Sequence, residues 1–213
     1  MLFRSPGRSG SDTLMLKLGL TGSIATGKST VLRAFADLGV QTFSSDEVVH
    51  ELYEGEAVAP LGKVFPDVIH GGKVDRGKLS ARLIRHPDGL KALEAIVHPL
   101  VRQRISAFLR DAREKNAPLA VVDVPLLFET GYDYGFDAVA VTVVDEATQR
   151  QRAMGRPGMT VEKLDTILAR QLPQGEKKRR ATYVFDTSGT VTETEAKVRE
   201  LVEKIAGPLV GKV

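Results

Sequence analysis

The sequence predicts a three-layer α/β fold, a parallel sheet with helices on both faces. Apolar runs of strand character recur at residues 16–20, 40–43, 119–124 and 138–144, with a weaker one at 183–185, and helical periodicity fills the segments between them. Strands that are apolar on both sides belong inside a covered sheet, and crossover helices supply that cover. A further observation fixes one end of the sheet: a glycine-rich loop follows the first run directly and opens into a helix at residues 28–38.

The elements follow in order. Residues 1–14, rich in Ser, Gly and Arg, read as a flexible extension, and Met15 as the start of a single domain over 15–213. After the second run, helices are expected at 47–53, 78–84, 90–97 and 100–114. The wide gap before the third run therefore holds only helices, and residues from about 55 to 115 read as a helical substrate-binding insertion. Pro99 falls where the first turn of the last of these helices accepts it. The Gly71-Gly72 turn has no phosphate signature. Helices at 146–155 and 161–171 lie in a lid region of about 146–182, and one at 193–206 closes the fold.

Composition narrows the function. With no cysteine, disulfides, thiolate metal sites and cysteine nucleophiles are excluded. No window approaches the roughly 18 apolar residues that a membrane-spanning helix needs, so a soluble protein with no membrane partner is expected. The stretch 150–181 holds nine Lys/Arg against three acids. That balance favours an anionic partner, either the phosphates of a small substrate or nucleic acid, unless it is a solvated helix face.

The chemistry sits in Gly22-Ser23-Ile24-Ala25-Thr26-Gly27-Lys28-Ser29-Thr30, a full match to G-x-x-x-x-G-K-[ST] between a strand and a helix. Its backbone N–H groups and the helix N-terminus bind phosphate, Lys28 reaches the β and γ phosphates, and the Ser29 hydroxyl takes Mg²⁺. The loop implies a nucleoside triphosphate without saying what is done with it. A guanine-reading N-K-x-D is absent.

A kinase also needs a group for the acceptor hydroxyl and cations over the transferring phosphoryl. Asp46, at the carboxyl edge of the second strand, suits the first role; it equally suits a helix N-cap. Asp123, ending the run 119–123, reads as a metal or active-site carboxylate, or as a turn former. Arg152 and Arg156, four apart on one helix face, suit a lid clamp on phosphates. His98 lines the acceptor pocket or caps the helix after it.

These residues carry a family resemblance. Over residues 15–206 the sequence resembles dephospho-CoA kinase. The loop from Gly19 to Ser29 is similar to that family's G-L-T-G-G-I-G-S-G-K-S, with Ser23, Ala25 and Thr26 as departures, and Ser44 replaces the first acid of its D-A-D stretch. Leu93-Glu94-Ala95-Ile96-Val97-His98-Pro99 resembles L-E-x-I-x-H-P, and Asp123-Val124-Pro125-Leu126-Leu127-Phe128-Glu129 resembles D-x-P-L-L-F-E. Gln149, Arg152 and Arg156, with Arg170-Gln171, fit the lid pattern. The closing A-D-x-V-I-x-N-x-G element is changed at Thr182, Asp186 and Thr187.

The resemblance implies ATP as co-substrate, Mg²⁺, and dephospho-CoA as the acceptor, with a P-loop fold that has a helical substrate subdomain and a helical lid. It implies Asp46 as the base, and His98, Leu127, Phe128 and Glu129 on the acceptor side; Ser29 and Asp123 remain the expected metal ligands. A monomer or weak homo-oligomer without nucleic acid is expected. Two rivals stand beside it: another small-molecule kinase, for nucleosides or nucleotide monophosphates, and an NTP-dependent nucleic-acid-binding protein suggested by residues 150–181.

Overall fold

The computed structural model describes residues 15–207; the expected extension over 1–14 lies outside them. Five strands, β1 (Leu16–Gly22), β2 (Gln41–Ser44), β5 (Leu119–Asp123), β6 (Ala138–Val143) and β7 (Tyr183–Asp186), form one sheet in the order β2-β5-β1-β6-β7. Every pairing in it is parallel. The strands lie where the apolar runs put them.

Alternation along each strand divides its side chains between two cores. On β5, Leu119 and Val121 join Leu18 and Leu20 of β1 against α1 (Lys28–Asp37) and α10 (Val191–Ala206). Val122 turns the other way, into a core with α2 (Ser45–Glu54) and α5 (Gly89–Glu114). Both faces are therefore covered, the arrangement that parallel strands require. The chain leaves β1 toward β2 on one side and later returns to β6 on the other, which opens a crevice at the carboxyl end of β1.

Between α2 and β5 the insertion is not purely helical. It contains α3 (Val58–Val64), a short 3₁₀ turn at Pro66–Val68, a hairpin of β3 (Ile69–His70) and β4 (Lys73–Val74), and α4 (Arg76–Arg85). Gly71 and Gly72 turn that hairpin with φ of 56° and 76°, the left-handed pair that a two-residue loop demands. Strands of two residues are too short for alternation to show in the sequence.

The two helices expected on either side of Pro99 are one, the 26-residue α5. Val97, Val101 and Ile105 make a continuous buried stripe across the proline. Interior proline costs a helix about 3 kcal/mol, and burial of several large apolar side chains at about 1.5–3 kcal/mol each exceeds that. Pro99 and Ala95, whose carbonyl loses its partner, are both exposed, so water can serve the freed oxygen.

After β5 come α6 (Leu127–Thr130), then, beyond β6, α7 (Glu146–Met154), α8 (Val161–Ala169) and α9 (Gln174–Arg180). The last, QGEKKRR, has no apolar stripe to betray it in the sequence.

Gly19 is closely covered within the sheet, since a Cβ there would lie 2.5 Å from the Phe136 ring. Gly19→Ala is expected to lower stability by about 1–3 kcal/mol in urea unfolding, as overpacking usually does. An unchanged midpoint would mean that the ring swings aside freely.

Candidate active site

The loop between β1 and α1 is shaped by its own residues and held by distant ones. Gly27 caps α1 at φ 84°, and its missing Cβ leaves room for Thr187, whose Oγ1 would stand 2.9 Å from one. Ala25 also adopts positive φ, 61°, which strains an L-residue by roughly 1–2 kcal/mol. Its buried methyl packs with Ala153 and Leu164, which offsets part of that strain.

Three polar anchors fix the loop. Thr26 Oγ1 donates to the Ser23 carbonyl at 2.8 Å and lies 2.7 Å from Thr142 Oγ1 on β6. Ile24 is gripped at both peptide groups: its N–H donates to Gln171 Oε1 at 2.9 Å, and its carbonyl accepts from Gln149 Nε2 at 2.8 Å. Thr187 Oγ1 donates to the Thr26 carbonyl at 2.9 Å, while Arg152 donates to Thr187 Oγ1 at 3.1 Å and to its carbonyl at 2.8 Å.

Two carboxylates meet the loop from neighbouring strands. Asp123, buried at the end of β5, has both oxygens 2.6 Å from Lys28 Nζ, with the hydrogen bond directed to Oδ2. Burial pushes its carboxyl up to about 6 against the opposing pull of Lys28, and the nearby negative charges of Asp46 and Glu47 add to the rise. Asp46 is exposed on the first turn of α2, and the N-cap is Ser44 instead, whose side chain accepts from the Glu47 N–H. The buried Ser45 hydroxyl donates to the Asp123 carbonyl, which ties the start of α2 to the end of β5.

A cleft of about 550 Å³ brings together the whole loop from Gly22 to Thr30 with Asp46, Arg152 and Arg156. Asp123 lies at its floor through Lys28. Gln149, Gln171 and Thr187 belong to the same assembly. The first two were visible only as letters of the lid pattern, and Thr187 stood out only as a departure.

The other four expected residues lie elsewhere. His98 is interior to α5, not before a new helix, and lines neither this cleft nor the groove beside it. Leu127 is buried in the core of the insertion. Phe128 carries the Arg180 guanidinium over its ring at 5.8 Å. Glu129 Oε1 accepts from the Leu172 N–H at 2.9 Å and lies 2.8 Å from Nζ of the fully buried Lys177. Phe128 and Glu129 thus both contact the base of the lid.

Comparison with known proteins gives the context. A family model described as dephospho-CoA kinase matches residues 16–193. The chain is 50% identical over 192 residues to dephospho-CoA kinase of Rhodopseudomonas palustris (strain CGA009), covering 90% of this chain and 96% of that one. It is 48% identical over 191 residues to the Rhizobium meliloti (strain 1021) protein of that name, covering 90% and 98%. Among solved structures, TT1252 from Thermus thermophilus superimposes with a TM-score of 0.75 at 29% identity, over 90% of this chain and 98% of that one. The dephospho-CoA kinase from Campylobacter jejuni shares the fold, with a TM-score of 0.63 at 24% identity over 89% and 96%.

Asp123 makes a pH-dependent contribution of defined sign. Its folded value, about 6, exceeds the unfolded value of 3.8, so the folded state holds more protons between those limits. Stability therefore falls as pH rises through that window. Unfolding free energies of Asp123→Asn and the unmodified protein, measured from pH 4 to 7, are expected to shift progressively in the variant's favour. A flat or reversed difference would contradict the burial argument. Lys28→Met should drive the Asp123 value higher still, as read by NMR titration.

Proposed function

The chain belongs to the dephospho-CoA kinase family, phosphotransferases with an alcohol acceptor, and on that premise we propose how its residues carry the γ-phosphoryl of ATP to the ribose 3′-hydroxyl of dephospho-CoA. The observation that carries the reading is the convergence of the phosphate loop, Asp46 and two arginines on one cleft. The acceptor oxygen forms a bond to the γ-phosphorus as the bond to the β,γ-bridging oxygen breaks. The hydroxyl proton passes to Asp46, and ADP and coenzyme A are the products.

Each residue has a task set by its place. The loop N–H groups and the N-terminus of α1 bind the β-phosphate. Lys28, kept at the cleft floor by Asp123, neutralises charge on the β and γ phosphates. Arg152, oriented by its two bonds to Thr187, and Arg156 cover the transferring group from the lid. Leu127, Phe128, Glu129 and His98 receive no acceptor contact in this scheme.

Mg²⁺ fits the site. Among the described residues no three His, Asp or Glu side chains gather to hold an ion unaided. Mg²⁺ with a nucleotide needs few protein ligands, because phosphate oxygens and waters supply the rest. Ser29 lines the cleft, and buried Asp123 Oδ1 meets only the Lys28 ammonium, so both suit it. When bound, the ion neutralises charge on the β- and γ-phosphate oxygens.

We further propose a monomer or weak homo-oligomer acting in the cytoplasm, since one chain supplies every group of the site. No helix among the described residues is long and apolar enough to cross a membrane. A nucleic-acid partner is disfavoured because four of the nine basic residues of 150–181 are already paired with carboxylates. Arg150 meets Glu146 and Asp165, Lys177 meets Glu129, and Arg179 and Arg180 meet Glu176.

A coupled ADP-release assay with ATP and Mg²⁺ is expected to show turnover with dephospho-CoA and not with adenosine, AMP or pantetheine. Asp46→Asn and Lys28→Ala should each lower kcat by about 10²–10³. Both should keep the native circular dichroism, because Asp123 without Lys28 takes up a proton instead of remaining a buried charge. Near-normal turnover in either variant would refute its assigned role.

A further inference from the structure

One buried charge pair takes no part in the transfer chemistry. Lys177 of α9 is fully buried, and its Nζ lies 2.8 Å from Oε1 of Glu129 on α6, a side chain only 12% exposed. The same oxygen accepts from the Leu172 N–H at 2.9 Å, while the buried Oε2 has no hydrogen-bond partner among the described residues. A pair this deep adds little stability over apolar side chains of similar size, because desolvation offsets the attraction. It does fix a geometry, since a carboxylate and an ammonium away from water tolerate few arrangements.

That geometry is imposed on the segment that grips the phosphate loop. Leu172 and Lys177 stand on either side of Gln174, and Gln171 adjoins Leu172. Gln171 Oε1 accepts from the Ile24 N–H at 2.9 Å. Gln174 Nε2 donates to Gln149 Oε1 at 2.8 Å, and Gln149 Nε2 donates to the Ile24 carbonyl at 2.8 Å. Glu129 therefore fastens a stretch of the lid whose glutamines hold both peptide groups of Ile24, a residue that lines the nucleotide cleft. Ala25 follows at φ 61°, a conformation that an L-residue leaves unless it is held. Thr26 beyond it has separate anchors in Thr142 and Thr187, so the Ile24 side is where the loop depends on the lid. Glu129 itself stands six residues after Asp123, so the end of β5 is the fixed point of these contacts.

We propose that Glu129 is a positioning residue for phosphoryl transfer: through the Leu172 N–H and the Lys177 ammonium it keeps Gln171 and Gln174 in place, and with them the binding shape of the phosphate loop. The inference rests on that loop being the nucleotide site, as read under Proposed function, and not on which alcohol accepts the phosphoryl. Glu129 touches no reacting atom. It acts by completing the order of the loop before nucleotide arrives, so that binding does not have to supply it. Without the Glu129 acceptor the turn at 171–174 loosens, the Ile24 N–H is released and Ala25 relaxes. The N–H groups that face the β-phosphate then disperse.

Two double substitutions separate the hydrogen bond from the charges. Glu129→Gln with Lys177→Met removes both charges and keeps an acceptor for the Leu172 N–H; Glu129→Met with Lys177→Met removes the acceptor as well. Neither leaves a lone buried charge, so both are expected to fold. The ADP dissociation constant, by calorimetry, should stay within about twofold of normal in the first and weaken about tenfold in the second. Amide exchange followed by NMR should show the Ile24 N–H losing protection in the second alone, with Val121 of β5 as the reference for global stability. The ATP KM should follow the ADP values, and the dephospho-CoA KM should not. Gln171→Leu, which leaves the buried pair intact, should weaken ADP binding to a similar degree, and adding it to the second double variant should cost little more, because the two act in series. Normal ADP binding in the second double variant or in Gln171→Leu overturns the proposal, as does equal weakening in both double variants or full additivity with Gln171→Leu. ADP binding by the unmodified protein without phosphorylation of dephospho-CoA would refute the reaction instead, and the ADP comparisons would still decide the role of Glu129.

Discussion

Lys28 and Asp123 meet at the point where the first strand, the helix after it and the neighbouring strand converge, and the rest of the site is arranged around that contact. A carboxylate this deep would discard its charge if left alone, and an ammonium facing a phosphate site would wander if nothing held it. Each limits the other's freedom: the lysine lowers a carboxyl value that burial has raised, and the carboxylate keeps the lysine at the cleft floor. The register of the sheet makes this possible, because Leu20 of β1 and Ser44 of β2 both lie opposite Asp123. Ser45 then ties α2 to the same carbonyl, so Asp46 stands at a fixed height above the pair.

The phosphate loop itself is short and rich in strained or positive-φ backbone, and cannot hold its shape by local bonds alone. It borrows rigidity from segments more than a hundred residues away. Thr142 and Thr187 brace Thr26, and Gln149 and Gln171 take both peptide groups of Ile24. Gln149 is also bound by Gln174 Nε2, whose own Oε1 accepts from the Val144 N–H. The lid and the loop are therefore one hydrogen-bonded body. The buried Lys177–Glu129 contact continues it to the end of β5. This network explains how Glu129, so close to Asp123 in sequence, comes to face the lid.

The insertion answers a different requirement. A phosphate site of backbone and cations recognises any triphosphate, so selection of the acceptor must come from added surface. α4, α5 and the small hairpin pack into the apolar core that α2 shares with one face of the sheet. Because α2 carries Asp46 at its start and packs Leu52 and Tyr53 into that core, the candidate base and the insertion share a single element.

Much of this was legible in the chain. Five strand runs, the loop motif and the lid arginines were readable because each is a local pattern: apolar continuity, glycine spacing, or two like residues one helical turn apart. Asp46 and Asp123 were readable as strand-end carboxylates, though their alternatives were not separable by spacing. What the sequence by itself determined is the fold class, the phosphate chemistry and the family. Tertiary structure decided that Pro99 sits within one continuous helix, since only packing shows that a buried stripe outweighs a lost hydrogen bond. It decided as well that Glu129 serves the lid and that Thr187 orients Arg152. Each of these depends on which charges and polar groups meet across long separations, and a linear pattern records the residue types without their partners.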